Sequence, residues 1–329
     1  MNGYNTAAFG KMHQTPTWEV STSGPFDRWP TGDGFERFYG FVGGENNQWS
    51  PSLFEGTSAV SPPKTAEEGY HLSEDLVDQT LAYIRRQKVM TPDKPFFVYL
   101  SFGALHAPHH VPKEWIDKYR GKFDHGWDAL REETLARQKA LGVVPPDAVL
   151  TRRHEEIPAW DSLPPDNKKV AARLMEAYAG FAEHTDDQIG RVLATLDEMG
   201  VTDDTLVILI LGDNGASGEG GLDGAFNEMA ALNGIPDDAA SILPHLDEIG
   251  GPMAYNHYPV GFAHATNAPY QWTKQVASHW GGTRNGMIVR YPSRIRAKGE
   301  IRTQLCHVID IVPTILELAT LPEPSEVNG

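Results

Sequence analysis

Cysteine is almost absent from this sequence of 329 residues, where it occurs once, as Cys306. A single cysteine can form neither an intrachain disulfide nor a cysteine-based metal cluster. The sequence therefore does not describe a small secreted domain built on disulfides. With 40% hydrophobic and 22% charged residues, it has the composition of a globular protein whose core needs no such cross-link.

Positive charge and long apolar runs are also scarce. There are 28 Lys and Arg residues against 44 Asp and Glu residues, which gives a net charge of −16. This balance argues against nucleic acid as a partner, because phosphate backbones are bound by clustered basic side chains. An acidic surface also repels anionic substrates, so an anion site must depend on local cations or a metal ion. The longest apolar runs are too short to span a bilayer, so no membrane partner is expected.

Apolar runs that end at turn residues predict three strands. They cover residues 95–102 (PFFVYLSF), 205–212 (TLVILILG) and 286–292 (GMIVRYP). The first is nearly continuous in its hydrophobicity, as expected for a strand that is buried on both faces. The segments 119–165 and 215–273 are rich in Gly, Pro and polar residues and are predicted to be long loops.

Helical periodicity fills the intervals between the strands. One helix is predicted over 71–88 with Ser73 as its N-cap, and a longer one over 167–199 that Gly200 closes. A last helix near the end of the chain is predicted to begin at Asp310. Strands that alternate with helices predict an α/β fold with a mainly parallel sheet and helices on both faces.

Polar residues that could take part in catalysis follow two of the predicted strands and a short apolar stretch near the start, at the strand ends where open α/β sheets bind ligands. Asp213 and Asn214 come directly after the second strand, and a histidine-rich loop containing His106 comes after the first. Lys11 and His13 close a short apolar stretch near the start and would project to the same side of an extended strand. Oxygen ligands suit calcium or magnesium better than zinc. Together these groups fit the hydrolysis of a charged ester.

Each motif also has an ordinary explanation. An Asp-Asn-Gly sequence after a strand is more often a turn than a metal site. A lysine two residues from a histidine is common on solvated surfaces, and histidine-rich loops usually make structural hydrogen bonds. Spacing alone therefore predicts an α/β protein with a candidate anion and metal site.

Five segments taken in order resemble the sulfatase family of the alkaline-phosphatase-like superfamily. They are GYNTAAFGKMH, FGALHAPHH, TLVILILGDNGASGEGG, WTKQVASHWGGTRNGMIVRYP and CHVIDIVPTILELA. The likeness runs from Gly3 to Gly329 and is strongest to the large bacterial arylsulfatases. It implies calcium-dependent hydrolysis of a small-molecule sulfate ester, with magnesium the less expected ion.

The resemblance also implies roles for individual residues. Asp213 and Asn214 match the second pair of calcium ligands. Lys274 matches the lysine that binds the sulfate group, and His106 matches the histidine near the leaving-group oxygen. Such a set would hold the ester, offset its charge and protonate the departing oxygen.

Lys11 and His13 match the pair that contacts the nucleophile and its sulfate adduct. In the family this nucleophile is a formylglycine made from a Cys/Ser-x-Pro-x-Arg motif upstream of that strand, near two further aspartate ligands. The chain begins at the strand, and Cys306 has no Pro-x-Arg after it. Residues 1–329 are therefore expected to form an incomplete catalytic domain that is inactive alone. Its first strand or strands, its nucleophile segment and a C-terminal subdomain beyond a linker at 324–329 would be missing.

Two further residues and two alternative functions complete the sequence predictions. His279 is expected to be structural, and Arg284 to brace the turn after the paired glycines.

The candidate anion-binding and metal-binding residues would also suit a phosphonate monoester or phosphodiester hydrolase of the superfamily, because sulfate and phosphate esters are both tetrahedral anions. They would also suit a non-catalytic sulfatase-like protein that binds sulfated ligands.

Overall fold

The computed structural model describes residues 3–235 and 237–326. The strands are Asn5–Lys11 (β1), Arg37–Phe41 (β2), Leu53–Glu55 (β3), Ser58–Val60 (β4), Phe96–Ser101 (β5), Val207–Leu211 (β6) and Gly286–Arg290 (β7). The helices are Leu72–Met90 (α1), Lys113–Asp117 (α2), Gly126–Leu141 (α3), Pro165–Glu198 (α4), Glu228–Leu232 (α5), Ala239–Ile242 (α6), Val260–Thr266 (α7), Trp280–Thr283 (α8) and Ile311–Leu318 (α9). The predicted α/β class is confirmed.

The strands form two sheets. The larger has the order β4-β3-β2-β1-β5, with β1 parallel to both β2 and β5. The β2–β3 and β3–β4 pairs are antiparallel, so this sheet is mixed. The smaller sheet pairs β6 with β7 in antiparallel register. The three strands predicted from apolar runs are β5, β6 and β7, and each is found within two residues of its predicted ends.

The end of β1 can lie between its neighbours only because position 10 is glycine. Gly10 has a φ of +98°, and a Cβ atom there would lie 1.8 Å from the carbonyl oxygen of Ser101 on β5. On the other side, a Cβ atom on Gly40 of β2 would lie 2.1 Å from the Gly10 oxygen. This close packing fixes the position of Lys11, the next residue.

Three buried clusters hold the fold together. One lies between the large sheet and α1, and includes Phe9, Leu76 and Ile84. A second covers the other sheet face with residues from the irregular segment after β1, such as Trp29. The largest surrounds α4 and α7, and its aromatic members include Trp127, Trp160 and Phe262. Burial of side chains of this size stabilises a fold by about 2–3 kcal/mol each.

The exposure of β5 corrects the expectation that it is buried on both faces. All of its residues are at least partly accessible, and Tyr99 is 48% exposed. The reason is its place in the sheet: β5 pairs with β1 on one side and is the last strand in the described order. An apolar run therefore predicted the strand correctly and its burial wrongly.

The helix caps differ in part from the prediction. The N-cap of α1 is His71 and not Ser73, since the His71 Nδ1 atom accepts a hydrogen bond of 3.2 Å from the Ser73 backbone nitrogen. Helix α4 begins at Pro165, and Gly200 follows its end with a φ of +66°. Asp310 precedes α9 as predicted, but its carboxylate accepts from the His307 backbone nitrogen.

The two predicted loops contain helices. The segment 119–165 holds α3, and the segment 215–273 holds α5, α6 and α7. Helices of four to seven residues are too short to give a periodic signal, which explains why the second segment was misassigned.

Of the linker expected at 324–329, the last three residues lie outside the described residues. Among those described, no helix combines the length and hydropathy needed to cross a membrane.

Candidate active site

Lys11 and His13 stand at the end of β1. Lys11 is the last residue of the strand and is partly buried, whereas His13 lies in the following turn and is exposed. The His13 ring packs beside Gly44, where a Cβ atom would come within 2.9 Å of it. The strand does not extend to His13, so strand alternation does not align the two side chains as expected.

His106 lies in the loop after β5, and its two ring nitrogens have different partners. Nδ1 is 2.8 Å from the carbonyl oxygen of Ala107, and Nε2 is 3.0 Å from the Nζ atom of Lys274. The carbonyl can only accept, so Nδ1 carries the proton and Nε2 accepts from the lysine. Burial lowers the pKa of His106, the Ala107 hydrogen bond opposes this, and the charges of Lys274 and Lys11 lower it further. The imidazole is therefore held neutral.

The other histidines of this loop belong to the core. His109 is 1% exposed and packs against the rings of Tyr178 and Tyr258. His110 is fully buried, and its Nε2 atom lies 2.6 Å from the Ala254 carbonyl oxygen. The loop thus divides into one site residue, His106, and two structural ones.

Lys274 links the loop after β5 to the loop after β6. Besides His106, its ammonium group contacts the Glu219 carboxylate at 2.9 Å, and its backbone nitrogen donates to the Ala216 oxygen. Lys274 also acts on Lys11: burial lowers the Lys11 pKa, the Asp213 carboxylate opposes this, and the Lys274 charge adds to the lowering. The structure therefore brings Lys11, His106, Lys274 and Asp213 into one neighbourhood.

The Asp213–Asn214 loop rests on the turn formed by the paired glycines. The Gly215 nitrogen donates to the Gly282 oxygen at 2.9 Å, and a Cβ atom at Gly215 would lie 1.7 Å from the Gly281 oxygen. Asp213 is exposed, and its Oδ1 atom accepts from the Asn214 side-chain nitrogen at 2.9 Å. Adjacent carboxylate and amide groups offer oxygen ligands of the kind that calcium prefers. The two residues fit a hard cation but supply only part of its coordination shell.

The segment around the paired glycines also contains His279 and Arg284. The Arg284 guanidinium lies over the ring of Trp280 at 4.9 Å, and the Tyr270 ring at 5.4 Å is its second aromatic contact. His279 Nδ1 lies 2.9 Å from the Ser278 hydroxyl. These contacts stabilise the turn, and the aromatic contacts of Arg284 agree with its predicted bracing role.

Sequence reasoning missed an acidic group beside Lys274. The Glu219 carboxylate accepts from Lys274 and also from the Ser217 hydroxyl at 2.7 Å. Burial raises the pKa of Glu228 to about 7, and the charges of Glu45 and Glu219 raise it as well. Glu45 in turn accepts a hydrogen bond of 3.1 Å from the Tyr255 hydroxyl. The only signal for these residues was the position of Glu219 four residues after the end of the Asp-Asn-Gly motif.

His257 completes this acidic group. It is 1% exposed, its Nδ1 atom lies 2.8 Å from the Tyr258 oxygen, and burial lowers its pKa to about 4. One ligand atom each from Glu219, Glu228 and His257 lie within 4.8 Å of one another. We refer to these three residues as the Glu–Glu–His cluster.

Fold and site together define an α/β protein with two neighbouring lysines next to acidic candidate cation ligands. Comparison with known proteins places it more closely. A sequence model of the Sulfatase family matches residues 1–321, and the chain belongs to the sulfatase family, whose members are sulfuric ester hydrolases.

Two curated relatives and one solved structure illustrate the match. An uncharacterized sulfatase of Schizosaccharomyces pombe is 32% identical over 98% of this chain and 57% of its own length. An arylsulfatase of Klebsiella aerogenes is 29% identical over 96% of this chain and 65% of its own length. The crystal structure of Ps i-CgsB in complex with a neocarrahexaose has a TM-score of 0.57 at 18% identity, covering 98% of this chain and 52% of that one, and shows a similar fold. The chain thus spans roughly 57–65% of the length of these curated relatives.

Proposed function

We propose that this chain provides the sulfate-binding and leaving-group residues of an arylsulfatase, which hydrolyses sulfate esters to an alcohol or phenol and sulfate. The observation that carries the proposal is the contact of 3.0 Å between Lys274, in the segment between α7 and α8, and His106, in the loop after β5, with the charge of Lys11 nearby. Two cations and a neutral imidazole at one point are what binding and cleaving a charged ester require.

Lys11 and Lys274 would offset the charge of the sulfate group. Both are partly buried, so their attraction for an anion is screened less than at an exposed surface. The two lysines would supply the local positive charge that an anion site needs in a chain whose net charge of −16 repels anions in bulk solution. Glu219 holds Lys274 in position until an anion competes for its ammonium group.

His106 and Lys274 would together supply the proton for the departing oxygen. In the free chain the shared proton resides on Lys274, because Nε2 of His106 is the acceptor. An ester oxygen that enters between them can take a hydrogen bond from the ammonium group. When the departing oxygen takes that proton, Nε2 of His106 remains an acceptor that holds the nitrogen of Lys274 in place. Stabilising a leaving oxygen in this way contributes about 10²- to 10⁴-fold to the rate of such reactions.

Asp213 and Asn214 would hold calcium, a Lewis acid that polarises sulfate oxygens. His13, exposed beside Lys11, would face the nucleophile. By the family resemblance that nucleophile is a formylglycine on a segment that this chain does not contain, in a catalytic domain of which residues 1–329 form part. The expected substrate is a small-molecule sulfate ester.

The test is a comparison of ester substrates with the full gene product. We expect 4-nitrophenyl sulfate to be hydrolysed with a higher kcat/KM than 4-nitrophenyl phosphate or a phenylphosphonate monoester. A preference for the phosphorus esters would instead favour the phosphonate monoester or phosphodiester hydrolase. Tight binding of aryl sulfates without turnover by the full product would favour a non-catalytic binding protein.

A further inference from the structure

We infer that Glu219, Glu228 and His257 form a binding site for one divalent transition-metal ion, Zn²⁺ or Mn²⁺, separate from the Asp213–Asn214 loop. Two carboxylates and one imidazole are a ligand set that these ions accept, whereas calcium takes oxygen ligands. Asp213 is not one of the three residues that contribute a ligand atom to this group.

The distances between the ligand atoms are close to those of a coordinated ion. Zinc binds nitrogen and oxygen ligands at about 2.0–2.2 Å, so two ligands of one ion lie up to about 4 Å apart. All three ligand atoms of the Glu–Glu–His cluster lie within 4.8 Å of one another. Side-chain movements of less than about 1 Å would bring them into a coordination shell of that size.

Glu228 supplies an independent sign that a cation is required. Its residue surface is 2% exposed, and its Oε2 atom has no hydrogen-bond partner among the described residues. A buried carboxylate oxygen without a partner costs about 1–3 kcal/mol or more. A metal ion bound to Oε2 removes this cost.

His257 is oriented as metal-binding histidines usually are. Its Nδ1 atom donates to the Tyr258 carbonyl oxygen, which leaves the Nε2 lone pair for a ligand. In the part of the chain that the structure describes, Nε2 makes no hydrogen bond. The neighbouring Gly220 is needed for this arrangement, because a Cβ atom there would lie 2.6 Å from Nδ1 of His257.

The backbone holds Glu228 and His257 together. Ala225 and His257 exchange two backbone hydrogen bonds of 2.9 and 3.0 Å, and the Glu228 nitrogen donates to the Tyr255 oxygen at 2.9 Å. Asp237 adds support by accepting from the nitrogens of two residues just before Glu228, at 2.8 Å each. Two of the three ligands are therefore positioned before any ion binds, which favours binding.

The site would place a second cation next to Lys274. Glu219 is shared, since its Oε2 atom already accepts from the Lys274 ammonium. An ion bound to Glu219 would draw that carboxylate's charge toward itself and leave Lys274 freer to contact an anion. This consequence for the ester site rests on the proposed function, but the metal site itself does not.

The experiment is a calorimetric titration of the full chain, freed of metal with a chelator, with Zn²⁺ and with Mn²⁺. Excess calcium is present throughout, so that a calcium site is already filled. We expect one ion to bind per chain, and Glu228→Gln to weaken binding by about 100-fold or more. Glu248→Gln, a carboxylate outside the cluster, and Asp213→Asn should leave the affinity unchanged.

Three results would overturn the inference. The first is that neither ion binds to the unmodified chain, which means that protonation alone satisfies Glu228. The second is that Glu228→Gln, shown to be folded by circular dichroism, binds like the unmodified chain. The third is that Asp213→Asn removes binding, which assigns the ion to the other loop.

If Glu228→Gln does not fold, Co²⁺ bound to the unmodified chain decides the question. Visible absorption typical of low-coordinate cobalt with nitrogen and oxygen ligands supports the site, and its absence contradicts it. Because no ester is involved, failure of the metal site and failure of the proposed hydrolase activity are separate outcomes.

Discussion

The two sheets support the site residues that follow them to very different degrees. Lys11 is the last residue of β1, a mostly buried strand that lies between β2 and β5. Asp213 follows β6, which pairs only with β7 among the described strands, and Leu211 on β6 and Ile288 on β7 are 53% and 55% exposed. Lys11 therefore stands on the five-stranded sheet, which we call the packed frame. Asp213 stands on the exposed β6–β7 pair, which we call the open frame. Lys274 and His106 connect the two.

The largest expected difference in the free energy of unfolding is between two glycine-to-alanine substitutions, one in each frame. Gly10→Ala should destabilise the chain by more than about 4 kcal/mol, because the new Cβ atom meets the Ser101 oxygen and the positive φ is strained. Gly286→Ala on β7 should change the free energy of unfolding by less than about 1 kcal/mol, because the methyl group meets only the flexible end of Leu211. Urea unfolding measures both. Equal effects would show that the frames do not differ.

The next largest effect, on catalytic efficiency, should come from removing the Lys274–His106 contact that connects the two frames. Lys274→Met in the full gene product removes a cation from the sulfate and a donor from the leaving oxygen, so kcat/KM for an aryl sulfate should fall by about 10²- to 10³-fold. Lys298→Met, at an exposed position, is the matched control. A loss of less than about tenfold in the first variant would remove Lys274 from the proposed mechanism.

Lowering the pH should lower the free energy of unfolding of the chain. Burial lowers the pKa of His71 to about 3 and those of His110, His257 and His264 to about 4. The unfolded chain, with histidine pKa values near 6.5, then binds more protons. The free energy of unfolding should fall below about pH 6.5, by up to about 1.4 kcal/mol per pH unit for each histidine. Glu228 opposes this between about pH 7 and 4.5, because its pKa is raised and its folded form binds more protons.

Urea unfolding at pH 7.5, 6.5 and 5.5 with a chelator present tests this pH dependence. Glu228→Gln removes the opposing contribution, so stability should fall more steeply with decreasing pH than in the unmodified chain. The same variant should be more stable than the unmodified chain at pH 8, where it removes a buried charge. If the free energy of unfolding is the same at pH 7.5 and pH 5.5, burial does not lower the pKa values of these histidines as described.

The smallest effect on stability is expected at the end of the open frame. Asp213→Asn should change the free energy of unfolding without calcium by less than about 0.5 kcal/mol, because the side chain is exposed. The same substitution should weaken calcium binding by about tenfold or more, since ligand charge sets calcium affinity. Calorimetric titration with calcium measures the second effect. Unchanged affinity would exclude Asp213 as a ligand.

The sequence predicted well those parts of the fold that are long and regular. Strands β5 to β7 and helices α1 and α4 carry continuous or periodic apolar patterns, and these fixed their positions. The burial of β5 could not be predicted, because it depends on which strands lie beside it. The predicted N-cap of α1 was wrong, because the N-cap is His71 and not Ser73.

The candidate site was predictable where motifs follow strands, and not where long-range contacts build it. Lys11 ends β1 and His106 lies in the loop after β5, so their common neighbourhood follows from the pairing of parallel strands in an α/β sheet, and Asp213 joins them from the end of β6 in the second sheet. Glu228 and His257 are brought together by isolated backbone pairings within a segment that was predicted to be a loop. Such pairings leave no pattern in the sequence, which is why the Glu–Glu–His cluster emerged only from the structure.

The most direct test of the central claim is a calorimetric titration of inorganic sulfate into this chain and into Lys274→Met. The account predicts that one sulfate ion binds to the unmodified chain and that the substitution weakens binding by at least about tenfold, the effect of losing one charged hydrogen bond. Equal affinities in the two proteins, or no binding to the unmodified chain, would contradict the assignment of Lys274 to the sulfate group.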